Sequence, residues 1–574
     1  MPKSAEHKLI HLDNPIGDVT IIPEVVLTVT ICPRGAMPEN SSVSLQIANR
    51  FAGSYGVHSA AFSDKPEWLY LGLCVISGAL LGLSCPGFGC WLLAWIALSP
   101  LLLAIFCSIR KRQAFWRGTA FGFAYNLVYL HWLISTQNFA WTGLARQIPE
   151  LMSFGSWIVF SAQQALIIGV FALVARCVPL VSGLLPLKAG AKVYCPALLT
   201  LPLLWVLIVN RIGNAGCLLG VPWSMLEYSQ YKQLPLLQLC PYIGGIGLES
   251  VIVLANVVIA ALAISLLVQY GKCNVSTEYR LTGPVAALRD CGVMVILLAG
   301  LWIYGSSKLN QAAQPLRTVT VSVLQGNINP LKTPISGRKA VSDMVHMACR
   351  APAGLCVWTE WSVPCPFSKK PDVFQGLARV ARDKKQDWLV GAFDENAQGQ
   401  SFNVVCALSA RGSVLSRTYA KRFLVPVGEY LPQWVKATPL KALFNDEWDV
   451  DFTSGNQATV FKLEDKIVAP IICFESISPE IVSESVRAGG EIITNLSNTM
   501  WFASPALSEQ MLAMSVFRAA ESSRSFVYAT NTGPSAMIDP FGRIKLLAPS
   551  NQAALLVETM PLCNTVTPFS RWYR

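Results

Sequence analysis

Apolar, strand-like runs in this chain stop at residues able to do chemistry. "APIICFES" carries two isoleucines into Cys473 and Glu475, "CVWTEWSVP" places Glu360 just after Val357 and Trp358, and "TYAKRFLVPVGEYLP" holds Lys421 with Glu429 further on. A charge beside a hydrophobic strand is costly to desolvate unless a partner meets it. If the sheet brings these ends together, Glu360 and Lys421 would satisfy each other while flanking the thiol. Such a thiol could act as a nucleophile, with a base to take its proton and a cation to support the thiolate. A plainer reading stays open: each is an ordinary exposed strand end, and Cys473 is a small core residue.

Other chemistries are poorly served. Of five histidines only His346 falls in the second half, with no aspartate arrangement or elbow motif nearby, so carboxylates and lysines are the remaining candidate bases. HExxH, paired CxxC, Walker and dinucleotide motifs are missing, and "GFG" and "GGIG" lie inside apolar runs where close helix packing explains them. Cys349, Cys356, Cys365, Cys406, Cys473 and Cys563 follow no metal or disulfide spacing, so neither a metal nor a cofactor is expected.

The elements that must position these residues begin near Arg317. Short β-rich runs ("VTVSVLQGN", "LCVWTEW", "WLVGAF", "NVVCALS", "KIVAPIICF", "EIITNLSN", "SFVYATNTG", "SAMIDP") alternate with helical patterns over Pro371–Lys385, Pro479–Ala488 and Ser508–Arg524. Runs apolar on both faces predict sheets covered by helices, hence a layered α/β domain over 306–574.

The first half is different. The whole chain is 53% hydrophobic and only 14% charged, too apolar for water alone. Before residue 306 we read about seven membrane-length stretches, near Leu69–Ser84, Gly87–Cys107, Phe115–Ile134, Trp157–Arg176, Cys195–Asn210, Ile243–Tyr270 and Cys291–Gly305, forming a multi-span helical domain over 66–305. The net charge of +11 forms no aromatic-interleaved stripe, so no nucleic acid is expected. Instead Arg110, Lys111, Arg112, Arg117, Arg176, Lys188, Lys192, Lys272, Arg280 and Arg289 fall in alternate loops, the positive-inside pattern for a cytoplasmic N-terminus. An odd number of spans then places 306–574 on the outer face. Trp68, Trp132, Trp141, Trp223 and Trp302 suit interfacial belts, and Glu249 is expected at the headgroup level. Residues 1–65 read as a poorly ordered cytoplasmic extension or as the result of a start assigned too early.

The ordered set "PGFGCWLLAWIALSPLL", "LQGNINP", "WTEWSVP", "YAKRFLVPVGEYLP", "CFES", "NLSNTMWF" and "TNTGPSAMIDPFGR" resembles the carbon–nitrogen hydrolase (nitrilase) superfamily, and within it the bacterial apolipoprotein N-acyltransferase family. The resemblance implies a nitrilase-like αββα sandwich with Glu360 as general base, Lys421 as the cation supporting thiolate and oxyanion, Cys473 as nucleophile, and Glu429 and Glu475 as supporting carboxylates. It further implies a multi-pass inner-membrane monomer with a periplasmic catalytic domain. A phospholipid would donate an acyl chain to Cys473 as a thioester, and the amine of a diacylglyceryl-cysteine lipoprotein would accept it.

The chain also departs from the family pattern. Phe474 follows the nucleophile where tyrosine is common, Pro330–Thr333 lacks a usual tryptophan, and Ala503–Gln510 lacks the usual glycines and histidine. The family's C-terminal membrane helix would begin about where "TPFSRWYR" stops: either the chain manages with seven spans, its second half anchored at one end and more mobile for it, or the sequence is truncated. Two other functions fit less well: a membrane-tethered amidase or nitrilase acting on small amides, which would not need seven spans, and a transporter or receptor with an inert outer domain, which would place more charge within the spans.

Overall fold

The structure is a computed structural model, and it describes residues 66–135, 149–178, 197–213, 223–270, 284–311, 317–328, 338–426, 428–438, 441, 451–502 and 504–573. The extension read over 1–65, Trp141 and Pro330–Thr333 lie outside the described residues.

Helices dominate the first half: α1 (Glu67–Gly82), α2 (Ser99–Phe106), α3 (Lys111–Tyr129), α4 (Pro149–Ala175), α5 (Ala197–Trp205), α6 (Cys240–Gln269) and α7 (Pro284–Asn310). Among the described residues three helical stretches are long and apolar enough to cross a bilayer, 150–175, α6 and α7, and shorter apolar ones cover 67–82, 91–106 and 198–212. Val285, Leu288, Val295, Ile296 and Ile303 of α7 point outward, as apolar side chains can where lipid is the solvent. Buried charge here finds partners at several points. Arg117 is buried and donates to both carboxylate oxygens of Glu67 at 2.8 and 2.7 Å.

Two expectations for this half are corrected. Glu249 is fully enclosed rather than displayed at a headgroup level, because Trp205 Nε1 and Asn210 Nδ2 donate to its two oxygens at 3.0 and 2.9 Å and so make burial tolerable. Trp68 and Trp302 are exposed, but Trp132 and Trp223 are buried against each other, ring centroids 5.0 Å apart. An indole offers a large apolar face, and here other aromatics cover it more completely than an interface would.

The second half folds as two six-stranded sheets. Its strands are β1 (Thr318–Gln325), β2 (Gly354–Val357), β3 (Gln386–Glu395), β4 (Ser401–Leu408), β5 (Tyr419–Ala420), β6 (Phe461–Lys462), β7 (Ile467–Ile472), β8 (Ile492–Ser497), β9 (Ser525–Thr530), β10 (Ala536–Ile538), β11 (Ile544–Leu547) and β12 (Ala554–Pro561). Sheet order is β12-β1-β2-β3-β4-β5 in one and β11-β10-β9-β8-β7-β6 in the other. Alternation divides the first sheet between two cores: Val321, Val323, Leu389, Val405 and Ala407 belong to the one that includes the second sheet. Their neighbours Leu324, Trp388, Val390 and Cys406 face α8 (Arg338–Arg350) and α9 (Pro371–Asp383). On the far side α10 (Pro479–Arg487) and α11 (Pro505–Ser522) cover the second sheet, which completes the αββα layering. The short edge strands, β12 and α8 were not among the strand and helix runs read from the sequence; several are half exposed, so no continuous apolar run marks them.

The halves interlock. Trp223 Nε1 donates to Gln510 Oε1 at 2.5 Å, Lys232 pairs with Glu509 at 3.1 Å, and Gln510 Nε2 reaches the Tyr129 carbonyl at 3.1 Å. The segment that departs from the family's usual glycines and histidine is thus a docking surface in this chain. Near the C-terminal side, Phe569 of α12 (Pro568–Trp572) fills a break in α6 at Gly244, where φ is 68° and a Cβ would come within 2.1 Å of its ring. Arg211 Nη1 donates to the Tyr573 hydroxyl at 2.6 Å, and Arg487 Nη1 to the Tyr573 carbonyl at 2.9 Å. These contacts join the far side of the sandwich to the helices as well.

Candidate active site

Cys473 stands where β7 ends and a single 3-10 turn, Cys473–Ile477, begins. Its φ of 51° is left-handed, a conformation that costs a non-glycine residue about 1–3 kcal/mol unless its surroundings enforce it. Asn495 Nδ2 donates to the Cys473 carbonyl at 3.0 Å, which pins the elbow to β8. Glu475 supplies the rest of the restraint. One of its oxygens accepts from Ile472 N and the Tyr419 hydroxyl, both at 2.7 Å, and the other from Arg422 N at 2.6 Å and Phe423 N at 3.1 Å. A wholly buried carboxylate with four donors has no capacity left for reaction chemistry. Glu475 therefore ties the cysteine turn to the segment after Lys421.

Glu360 and Lys421 arrive from the other sheet. Glu360 follows β2 in a tight turn whose next residue, Trp361, has φ 56°, and Lys421 follows β5 with its N–H on the Asn403 carbonyl at 2.8 Å. The turn packs on bare backbone: a Cβ at Gly391 of β3 would lie 2.4 Å from the Thr359 carbonyl oxygen and 2.8 Å from Glu360 Cα. Gly391→Ala is accordingly expected to push Glu360 aside. Acyl-enzyme formation should slow by about 10- to 100-fold, with a stability loss of about 1–3 kcal/mol. Single-turnover rates and thermal unfolding of the purified variant would measure both.

The four polar groups form one buried cluster. Lys421 Nζ lies 2.7 Å from Glu429 Oε1 and 3.4 Å from Glu360 Oε1, so its nearer partner is the residue read only as supporting. Asn403 Nδ2 bridges the same two oxygens, at 2.8 Å to Glu360 and 3.2 Å to Glu429. Cys473 lies within the electrostatic reach of Glu360 and Lys421, and Ser497 Oγ donates to Sγ at 3.3 Å. Sequence reasoning missed Asn403 and Ser497. The signal was faint: a lone asparagine in the apolar run "FNVVC", and one serine among several polar residues in "TNLSN".

Electrostatics corrects one expectation. A cation beside the thiol was read as favouring thiolate, yet burial first, and then the Glu360 carboxylate, push Cys473 up from 9.0 to about 12, which Lys421 and its hydrogen-bond donors only partly offset. The resting sulfur is a thiol. Burial also raises Glu360, as does Glu429, while Lys421, Asn403 and the thiol pull it down; the net shift is upward. Burial alone would strip Lys421 of its proton, but Glu360 and Glu429 overcome it and hold the ammonium above its ordinary range. A protonated thiol against a carboxylate of raised basicity, with a fixed cation beside both, is equipped for attack on an acyl carbon with proton removal in the same step.

The neighbour of the nucleophile joins the two halves. Phe474 is stacked between Phe423, with ring centroids 5.3 Å apart, and Trp223 of the helical part, at 5.5 Å. Where the family commonly has a tyrosine hydroxyl, this chain closes an aromatic stack.

An αββα sandwich with a cysteine, a glutamate and a lysine at facing sheet ends, fused to apolar helices, defines a membrane protein of the carbon–nitrogen hydrolase fold, and the carbon–nitrogen hydrolase family model matches residues 320–565. The helical half matches the apolipoprotein N-acyltransferase N-terminal domain over residues 77–258. Similar proteins include an apolipoprotein N-acyltransferase of Geobacter metallireducens, 31% identical with 86% of this chain and 90% of that protein covered. Those of Gloeobacter violaceus (29%; 86% and 89% covered) and Azotobacter vinelandii (30%; 88% and 92% covered) carry the same name. The chain belongs to the apolipoprotein N-acyltransferase family.

Proposed function

We propose that this acyltransferase moves an acyl chain from a membrane phospholipid to the N-terminal amine of diacylglyceryl-cysteine lipoproteins, through a thioester on Cys473. The observation that carries the reading is the meeting of Cys473 with Glu360 and Lys421 beside Phe474, whose ring rests on Trp223 of the membrane half. In the first half-reaction Glu360 takes the thiol proton as sulfur attacks the ester carbonyl. The oxyanion develops against the Lys421 ammonium, and the lysophospholipid leaves with the proton that Glu360 returns. In the second, the acceptor amine attacks the thioester and loses a proton to Glu360. The tetrahedral intermediate then collapses, and that proton returns to the sulfur. Glu429 keeps Lys421 protonated and in place, and Glu475 holds the turn.

The chain is organised, in this reading, as a membrane domain to about residue 305 and a catalytic domain beyond it. It works as a monomer in the bacterial inner membrane with its N-terminus cytoplasmic and its catalytic domain periplasmic, as the basic loops favour. Small-amide hydrolysis would use the same residues without needing the membrane half.

The discriminating experiment follows labelled phospholipid into the purified enzyme. A label released by neutral hydroxylamine, stable for many turnovers' time in water and discharged on adding a diacylglyceryl-cysteine peptide, supports transfer; discharge by water at the same rate overturns it. The pH dependence is also set. Because Glu360 must be ionised to take the proton, thioester formation should rise along one limb with its midpoint above 4.5, the ordinary glutamate value. With Cys473 near 12, no further limb near 9.0 is expected. Single-turnover acylation across pH would check both statements.

A further inference from the structure

A cavity of about 610 Å³ lies beside the cysteine turn but does not include Cys473, Glu360 or Lys421. It is set between the helical part and the sandwich, and Arg422, Phe423 and Ile477 bring its wall within a few residues of Lys421 and Cys473. Phe423, which lines it, is also the ring stacked on Phe474 beside the nucleophile. Its volume is that of a small-ligand site.

The charges lining it are unevenly satisfied. Arg211 is engaged by the Tyr573 hydroxyl, and Arg422 Nη1 lies 2.5 Å from Glu484 Oε2, a charge contact. Glu521 has Arg518 Nε at 2.9 Å and Gly245 N at 2.7 Å. Glu227 is different: it is only 4% exposed, and its Oε2 has no hydrogen-bond partner. At the outer edge Glu480 is exposed and has no ion-pair partner among the described residues. Glu227 feels the Arg518 guanidinium but hydrogen-bonds nothing through Oε2, and with the exposed Glu480 it leaves the cavity two acidic groups open to an incoming donor. An unpartnered buried carboxylate carries a desolvation cost that an incoming ammonium or guanidinium removes.

We propose that this cavity is the subsite for the acceptor polypeptide just beyond its modified cysteine, and that it selects a basic side chain there through Glu227 and Glu480. The proposal rests on the transferase reading above. A polypeptide fits better than a donor headgroup because it must leave toward solvent, and Asn456 and Glu480 at the cavity's rim are both exposed. Burial and the field of Glu249 hold the Glu227 carboxyl well above the ordinary range against the pull of Arg518, and a bound cation favours its ionised form.

The test uses the full-length enzyme, acylated from labelled phospholipid, and diacylglyceryl-cysteine peptides with Lys, Ser or Glu in the first positions after the cysteine. Wild type should discharge to the Lys peptide at least about tenfold more efficiently than to the Glu peptide, measured as kcat/KM. Glu227→Gln should bring that ratio to within about threefold. Glu480→Lys, at an exposed position that folding tolerates, should invert the order. Equal discharge of all peptides by wild type, or a ratio unchanged in both variants, overturns the proposal while leaving transfer intact. An effect of Glu227→Gln confined to thioester formation would assign the cavity to the donor headgroup and also overturn it. Failure of every peptide to discharge the thioester would instead bring down the transferase reading, and this subsite with it.

Discussion

Cys473→Ser is expected to abolish the hydroxylamine-labile acyl-enzyme and to lower transfer by at least about three orders of magnitude. The substitution is nearly isosteric, and the restraints on the turn come from Asn495 and Glu475, which do not contact Sγ, so the fold should survive. What changes is the nucleophile. A serine hydroxyl is far less acidic than even a thiol raised to about 12, and Glu360 would have to remove a much more tightly held proton. Any acyl group that did form would be an oxygen ester, resistant to neutral hydroxylamine. The measurement is labelled phospholipid with denaturing electrophoresis before and after hydroxylamine. Thiol-linked label persisting in the variant would move the nucleophile to another cysteine. Among the described cysteines of the sandwich Cys356 and Cys406 are also buried and raised, but neither has a lysine and a glutamate beside it.

Lys421→Met should damage rate and stability together, and for separable reasons. Removing the ammonium leaves Glu360 and Glu429 facing each other across Asn403 with no cation, a loss of about 3–5 kcal/mol for a broken buried pair. Acylation should fall by at least about 10²- to 10³-fold through loss of oxyanion support alone. The stability loss should shrink as pH falls. With the cation gone, the folded-state pKa of Glu360 rises further above its unfolded value, so the folded state binds the proton more tightly and gains relative stability on acidification through that pKa. The double variant Lys421→Met/Glu429→Gln should recover much of the stability and none of the rate. Thermal unfolding between pH 5 and 8, beside single-turnover acylation, separates the two; recovery of rate in the double variant would show that the ammonium acts only on folding.

Much of this protein was legible along the chain because the signals are local. Runs such as "KIVAPIICF" and "EIITNLSN" are apolar on both faces because their strands are buried between a second sheet and covering helices, and those strands formed where expected. The long apolar stretches became helices for the same reason of composition. Glu360, Lys421 and Cys473 were visible as charge or thiol at the ends of such runs, and the ordered motifs supplied the family. Asn403 and Ser497 were not visible, since a polar residue in a strand reads alike whether it serves a site or only its neighbours. Glu429 looked secondary because distance in sequence says nothing about reach: it returns through a loop to become Lys421's nearer partner.

By itself the sequence determined the two-part architecture, the αββα layering and the types of residue available for acyl transfer, because periodicity, hydropathy and motif order are properties of neighbouring residues. Only the tertiary structure decided the surroundings of Cys473, the partners of Glu429 and Glu475, the burial of Glu249 and Trp223, and the cavity around Glu227. Each of these depends on which groups from distant segments meet and how completely they exclude water, and desolvation and Coulomb energies are set by that meeting rather than by position along the chain.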